Sequence, residues 1–472
     1  MSLHGRIFPT PPVRACAVVI ALALCCSDAR PQSATPPSPR TVKASAEPLI
    51  VTDVSDSKAL GYANNVKFII DGSGTAWFAV RTKGQGRIGI CLYRSVGRWP
   101  EVNRFDSAWI EDRPGVEVSS APQRPASIAI AADGSLHLVW YGGSEANPAH
   151  QVRYARFVAD PALRVAEESE PFSVPGFDQA YGGHPSGDEL WQEHPCLATA
   201  ANGLLYLVWE AHDAARRNSK GQPQPGVAWA VRGADGRWST IGTVARPPYA
   251  EVDGKYPSQS RPTIVPGAAG EMHVLCYGSV GGTQQILHGV LRDDKFSGWT
   301  ILCPSPNDQR HVSAAVDSAG RVHFVWREGS AGGASIRYSS LDARGQAETA
   351  CRVSPSTENA STPSITVGGG RVWIAWVAWP PGEVNSEGKP DNGFPSDAST
   401  VEGRLEVCGK AIGSASFGPV SQIDAGPVGY PSWAHRSGGI RGPEGLLWTR
   451  LEPGGGGSPN RFRLVLARVA AP

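Results

Sequence analysis

The sequence QRPASIAIAADGSLHLVWYGGSEANPAHQVRYARF, running from Gln123 to Phe157, decides the fold. Apolar residues alternate with others from Ala126 to Ala131, and the chain then turns at Asp133-Gly134. Alternation resumes from Leu136 to Tyr141, and again from Val152 to Phe157 after a polar loop. Successive strand side chains point to opposite faces. A period of two, broken by Asp-Gly and Gly-Gly, therefore marks antiparallel strands joined by hairpins.

The same unit recurs along the chain. Aligned on the turn glycine and the second strand, its copies are Asn64–Trp99, Gln123–Phe157, His194–Trp238, Arg261–Trp299, His311–Arg352 and Thr362–Val420, with a less regular one from Tyr430. The second strands read LYLVW at 205–209, VHFVW at 322–326 and VWIAW at 372–376. Four-stranded units of about 45 residues that repeat along a chain predict a β-propeller, here all-β with seven blades. One blade cannot bury both of its faces, so neighbours must stack. The unpaired strand at Leu49–Asp53 is expected to complete the last blade and close the ring. Residues 48–472 then form a single propeller domain.

Composition sets the boundaries. A chain of 472 residues with 55 Gly and 40 Pro is rich in turns and can still bury a large core. A formal charge of +1 gives no electrostatic case for nucleic acid or an anionic membrane surface. At the N-terminus Arg6 and Arg14 precede an apolar run, Ala15 to Cys26, that falls short of the roughly 20 residues of a membrane span. With small residues at Ser27-Asp28-Ala29, residues 1–29 read as a signal peptide. Residues 30–47, rich in Pro, Ser, Ala and Thr, read as a flexible linker. The expectation is an exported protein, periplasmic or extracellular. No transmembrane segment is expected in the mature chain and no lipid anchor, because Leu24 and Cys25 are poor residues before a lipidated cysteine. Six cysteines follow the signal segment without CxxC spacing and read as packing residues; neither a metal nor a cofactor is implied.

Candidate chemistry lies at the heads of the innermost strands: Asn65, Arg124, His194, Arg261, His311, Thr362 and Tyr430. In a propeller these positions converge on the mouth of the central channel. Small or apolar residues would suffice there for structure. A ring holding arginines, histidines and a tyrosine instead offers anion binding and proton transfer. His194, His311 and Tyr430 are the catalytic candidates, with Arg124 and Arg261 binding substrate. Residues that follow the second strands, Arg81, Glu210 and Arg327, join the substrate-binding set. Inter-blade loops add His184, Asp188, Glu189 and Glu193 before His194, and Tyr249, Glu251, Asp253 and Tyr256 before Arg261, as weaker acid candidates. By contrast, His137, His273 and His323 share a second-strand slot that holds Tyr206 or Trp373 elsewhere, which marks a bulky packing position. Trp140, Trp209, Trp326 and Trp376 likewise read as core between blades.

The repeats resemble the sialidase-like superfamily of propellers with bacterial-neuraminidase repeats, whose hallmark is an Asp box of the form Ser-x-Asp-x-Gly-x-x-Trp. Ala234-Asp235-Gly236-Arg237-Trp238 is close to that box and one residue shorter. The resemblance implies glycan hydrolysis. Arg124 and Arg261 resemble two of the three arginines that hold the substrate carboxylate in that family, and Tyr430 resembles its last-blade tyrosine nucleophile. Asn64-Asn65-Val66 stands where the family carries Arg-Ile-Pro. The sequence thus points to an anionic oligo- or polysaccharide as partner, with a sialidase-like hydrolase as the leading reading. Two alternatives stay open. The ring contains the parts of a uronate-specific polysaccharide lyase, and a propeller can also bind carbohydrate or protein without turnover.

Overall fold

The computed structural model describes residues 43–44, 47–54, 59–84, 87–110, 123–142, 151–158, 165–172, 192–217, 223–239, 241–243, 258–267, 270–292, 295–329, 333–342, 344–356, 358–379, 403–436, 443–452, 454 and 461–470. All of these belong to the unit Arg40–Pro472. The expected signal peptide and the loop candidates His184, Asp188, Glu189, Tyr249, Glu251, Asp253 and Tyr256 lie outside the described residues.

Seven sheets of four or five strands make up the unit, and it is a seven-bladed propeller. Blade two shows the pattern: Gln123–Ile130, Leu136–Gly142, Gln151–Phe157 and Val165–Phe172 pair in sequence order. Blade seven draws only its inner three strands from the C-terminal part: Val428–Trp433, Glu444–Glu452 and Arg461–Ala470. Its outer edge is Leu49–Val54, paired antiparallel with Arg461–Ala470, and this pairing closes the ring as expected. Lys43–Ala44, inside the stretch expected to be linker, pairs with the same strand at Val469 and Ala470.

Period-two alternation buries both faces of each blade against its neighbours. Trp140, Trp209, Trp326, Trp376 and Trp448 occupy one repeated slot and are at most 1% exposed. Trp140 packs with Ala79 and Leu92 of blade one, and Trp209 with Tyr154 of blade two. The tryptophans are therefore the inter-blade core that the repeats imply. The second-strand histidines are structural as well. His137 bonds Ser135 Oγ at 2.9 Å and Tyr154 Oη at 2.8 Å, and His323 bonds Asp317 at 3.2 Å and Tyr338 Oη at 2.7 Å. Cys91, Cys196, Cys276 and Cys408 are buried thiols, while Cys303 and Cys351 are half-buried.

A second repeated slot sits nearer the axis. Ser127, Cys196, Thr263, Ser313, Ser364 and Ser432 each pair with the residue before the buried tryptophan or its equivalent. Where bonds are recorded, the side chain takes the next blade's amide: Leu197 N donates to Ser127 Oγ at 3.1 Å and Trp433 N to Ser364 Oγ at 3.2 Å. Blade one breaks the series with Lys67, whose carbonyl accepts from Ala79 N. Lys67 is fully buried, and its ammonium donates to the carbonyls of Tyr62 and Asn65 and to Asn65 Oδ1.

Candidate functional site

The inner strands of blades two to seven each enter through a bulge, and the bulges build the site. In blade three Glu193 pairs with Glu210 and Cys196 with Val208, so His194 and Pro195 face the single residue Trp209. Blades four to seven repeat this with Arg261-Pro262, His311-Val312, Thr362-Pro363 and Tyr430-Pro431. The first residue of each pair is left-handed: His194 has φ +52°, Arg261 +49°, His311 +57°, Thr362 +52° and Tyr430 +51°. Such a conformation costs a non-glycine residue about 1–2 kcal/mol, and five instances at one mouth mark a strained, built site. Proline as the second bulge residue removes an N–H that the interrupted ladder would leave unpaired.

Blade two differs by one residue. Arg124 pairs directly with Tyr141, and Pro125 takes the slot that holds His194 in blade three. Proline's fixed negative φ excludes the left-handed form there. Aligning Arg124-Pro125 with Arg261-Pro262 therefore places Arg124 one position too deep. Its structural counterparts are Glu193 and Arg310, each directly opposite a second-strand residue. Asn65, in the bulge slot of blade one, donates to Pro195 O at 3.1 Å, and Asn64 donates to Pro262 O at 3.0 Å. Both amides tie the entering segment across the ring.

That segment carries the residue that sequence reasoning missed. Tyr62 follows Gly61, which has φ +63°, and its ring lies among the channel residues. Ring centroids are 5.6 Å from His194, 5.1 Å from His311 and 5.9 Å from Tyr430. The Arg261 guanidinium carbon lies 3.4 Å from the Tyr62 centroid, a close cation–π stack. Four of the expected channel residues therefore meet one side chain from outside the repeats. On one side of it opens a cavity of about 150 Å³, lined by Arg124, Tyr141, Glu193, His194 and Tyr430 together with Gly61, Tyr62, Asn64, Asn65 and Pro125. Arg261 and His311 contact Tyr62 but do not line that cavity. Arg81, Glu210 and Arg327 are buried at matching second-strand positions and do not line it either.

Electrostatics differ across the mouth. Beside the cavity His194 is held by Glu193 at 3.4 Å from Nε2 and by Tyr141 Oη at 3.4 Å from Nδ1. Burial pushes the Tyr141 phenol well above its usual range, and the Glu193 charge adds to that effect. Across Tyr62, burial and the charges of Arg261, Arg327 and Arg310 drive the His311 imidazole well below its ordinary value, so it is neutral. Burial opposes the Arg261 charge, but Tyr277, Tyr62 and Glu210 outweigh it and raise its pKa. Among the described residues Arg261 has no ion-pair partner; its recorded side-chain contacts are with Tyr62 and Tyr277, the latter at 5.9 Å. Glu210 serves the backbone: its Oε2 accepts from Arg261 N at 2.9 Å, and its Oε1 lies 3.6 Å from His212 Nε2. Among the described residues no group of three or more His, Cys, Asp or Glu is placed to hold a metal ion.

No protein-family model matches the chain, and no curated protein matches it in sequence. Solved structures share its architecture. An ulvan lyase of polysaccharide lyase family PL25, bound to a -[GlcA(1-4)Rha3S]- ligand, aligns over 89% of this chain and 97% of its own, at 11% identity and TM-score 0.52. A Hadza microbial sialidase aligns over 83% and 73% respectively, at 12% identity and TM-score 0.45. A protein of unknown function from Dyadobacter fermentans aligns over 73% and 96%, at 14% identity and TM-score 0.45. The chain is thus a seven-bladed all-β propeller whose fold resembles that of the ulvan lyase.

Proposed function

We propose that this chain is a glycan-acting enzyme that cleaves a uronate-containing polysaccharide by β-elimination in the cavity beside Tyr62. The observation that supports this most directly is the lining: Arg124, His194 with its carboxylate partner Glu193, and Tyr430 share one cavity. Elimination needs those parts. The proton at C5 of a uronate is too weakly acidic for a side-chain base until a cation neutralises the carboxylate, and Arg124 supplies the cation. His194 takes the C5 proton, and Glu193 stabilises the imidazolium that forms. Tyr430 gives its phenolic proton to the glycosidic oxygen at C4 as that bond breaks. The electrons of the C5–H bond become the C4–C5 double bond, and solvent returns the Tyr430 proton and removes that of His194. The ulvan lyase described above contributes only that such a fold carries polysaccharide-lyase chemistry in another protein. The apolar run from Ala15 to Cys26 supports export to where such polymers occur.

One arrangement favours a second reading. Tyr430 and Glu193 line the same cavity, and a tyrosine activated by a carboxylate is the nucleophile pair that the sialidase resemblance implies. The two readings give different products. Ultraviolet absorbance from an unsaturated uronate, measured on alginate, pectate, hyaluronate and chondroitin sulfate, reports elimination; free sialic acid released from a model glycoside reports hydrolysis. Under the proposal the wild type generates absorbing product from one of these polymers. Tyr430→Phe and His194→Gln each lower the rate by about 10²-fold or more, and Arg124→Ala raises KM and lowers kcat. Activity in all three variants at the wild-type level overturns it, as does the absence of product with every polymer. Retained glycan binding without turnover makes the protein a carbohydrate-binding propeller.

A further inference from the structure

The constellation beside the cavity occurs twice. In blades two and three, Arg124 pairs with Tyr141, and Tyr141 meets the bulge histidine His194 with ring centroids 5.4 Å apart. Two blades further on, Arg261 lies 5.9 Å from the Tyr277 ring, and Tyr277 meets the bulge histidine His311 at 6.2 Å. Tyr141 and Tyr277 hold the same register position at the end of their second strands, as do His194 and His311 in their bulges. Tyr62 stands between the two sets and touches both histidines.

The second set also presents a cation to an anionic ligand. Its arginine is held flat against Tyr62 at 3.4 Å, and among the described residues it has no carboxylate partner. A guanidinium stacked by its face still presents its in-plane N–H groups at the edge, the geometry that takes a carboxylate or sulfate through two parallel hydrogen bonds. Arg261 is half-buried and the nearby Glu210 carboxylate already favours its charge, and an acidic group on a ligand would add the two-pronged contact that its guanidinium edge can make. Glu210 holds the Arg261 backbone and leaves that edge to the ligand.

We propose that Arg261, Tyr277 and His311 form a second acidic-sugar subsite, separated from the first by the ring of Tyr62, so that the ligand is one glycan chain with anionic groups on two of its sugars. This rests on the proposed action at the Arg124 cavity. There the reacting uronate binds; at the second set the chain is gripped through another carboxylate or sulfate. Tyr62 is the wall on which the intervening sugar face packs.

The test compares one ligand in two lengths. Tetrasaccharides of alginate, pectate, hyaluronate and chondroitin sulfate are ranked on the wild type by calorimetry, and the tightest is compared with its acidic monosaccharide. Arg261→Ala and the charge-retaining Arg261→Lys are expected to weaken the tetrasaccharide about tenfold to a hundredfold, and to raise KM more than they lower kcat. The acidic monosaccharide, which fills the first subsite alone, keeps its affinity in both variants. Tyr62→Phe retains the tetrasaccharide affinity within about twofold, and Tyr62→Ala loses about tenfold. Circular dichroism confirms that the variants are folded, and Arg261→Lys carries the comparison if the alanine variant is not. If Arg124→Ala abolishes cleavage while both Arg261 variants bind the tetrasaccharide like the wild type, the second subsite is refuted and the proposed reaction stands. If no tetrasaccharide binds to the wild type, both fall together.

Discussion

Replacing Glu210 asks whether the strained bulge at Arg261 is held in place by the neighbouring blade. Glu210 belongs to the second strand of blade three, and its Oε2 accepts the Arg261 amide of blade four at 2.9 Å. The residue is 7% exposed, so the bond is charge-assisted and largely shielded from water. Hydrogen bonds to charged groups contribute about 1.5–3 kcal/mol, against about 0.5–1.5 kcal/mol for neutral ones. Glu210→Gln keeps an acceptor and loses the charge, and should destabilise by about 1 kcal/mol. Glu210→Ala leaves a buried amide without its partner, which should cost about 2–3 kcal/mol and loosen Arg261. Urea unfolding followed by tryptophan fluorescence reads both values. Burial acts to raise the Glu210 pKa, but the His212 hydrogen bond and the His194 charge outweigh it and leave it below the ordinary glutamate value of 4.5. A depressed carboxylate stabilises fully above its unfolded pKa and loses that stabilisation as pH falls through its folded one. The gap between wild type and Glu210→Gln should therefore shrink below pH 4.5. An alanine variant within about 0.5 kcal/mol of the wild type at neutral pH, with unchanged glycan affinity, would refute the reasoning.

Three further substitutions test the frame around the site. Burial lowers the Lys67 pKa from 10.5 to about 7. The unfolded chain thus binds more protons between these values, and stability should rise with pH across that window; pH-dependent urea titrations should show the rise in wild type and its loss in Lys67→Met. Thr362 is left-handed and β-branched, and its buried hydroxyl has no partner among the described residues. Thr362→Gly should therefore raise stability by about 1 kcal/mol, because relief of strain exceeds the lost methyl burial; a lower urea midpoint would contradict this. Trp209→Ala empties a fully buried slot and strips Gln192 of the donor that lies 2.7 Å from its Oε1. It should cost about 3–5 kcal/mol in thermal or urea unfolding.

The fold was legible because a propeller writes its rule into every blade. The turn glycine, the buried tryptophan and the alternation recur, and each copy corrects misreading of another, as when His137 and His323 identify each other as packing residues. The channel slot was legible for the same reason in His194, Arg261, His311, Thr362 and Tyr430. It slipped at Arg124 because the Arg-Pro pair looks alike in two blades, while the bulge in blade two starts at the proline. Tyr62 was not legible. It precedes the first repeat and has no copies to compare, and its place on the axis follows from the bonds that Asn64 and Asn65 make across the ring and that Lys67 makes to the Tyr62 carbonyl. Glu210 was visible as an acid but not in its role, since a bond to a neighbouring blade's amide leaves no pattern in sequence. One signal went unused: Gln123, Gln192, Gln259 and Gln309 recur two residues ahead of the bulge slot and are fully buried. Their side chains accept from indole or backbone N–H groups and fix the strand entry.

Ring closure sets the order in which the protein can mature. Leu49–Val54 leaves the ribosome long before its partner Arg461–Ala470. The Arg463–Asp53 ion pair joins residues 410 positions apart. Internal blades pair strands close in sequence and can form as they emerge, but blade seven must wait for Arg461–Ala470. Until then the first strand is an unpaired edge, open to other chains and to proteases. A chaperone or a covalent tether acting on this protein would have most to do at that seam. A circular permutant that joins the strands of blade seven in sequence would fold with the waiting step removed.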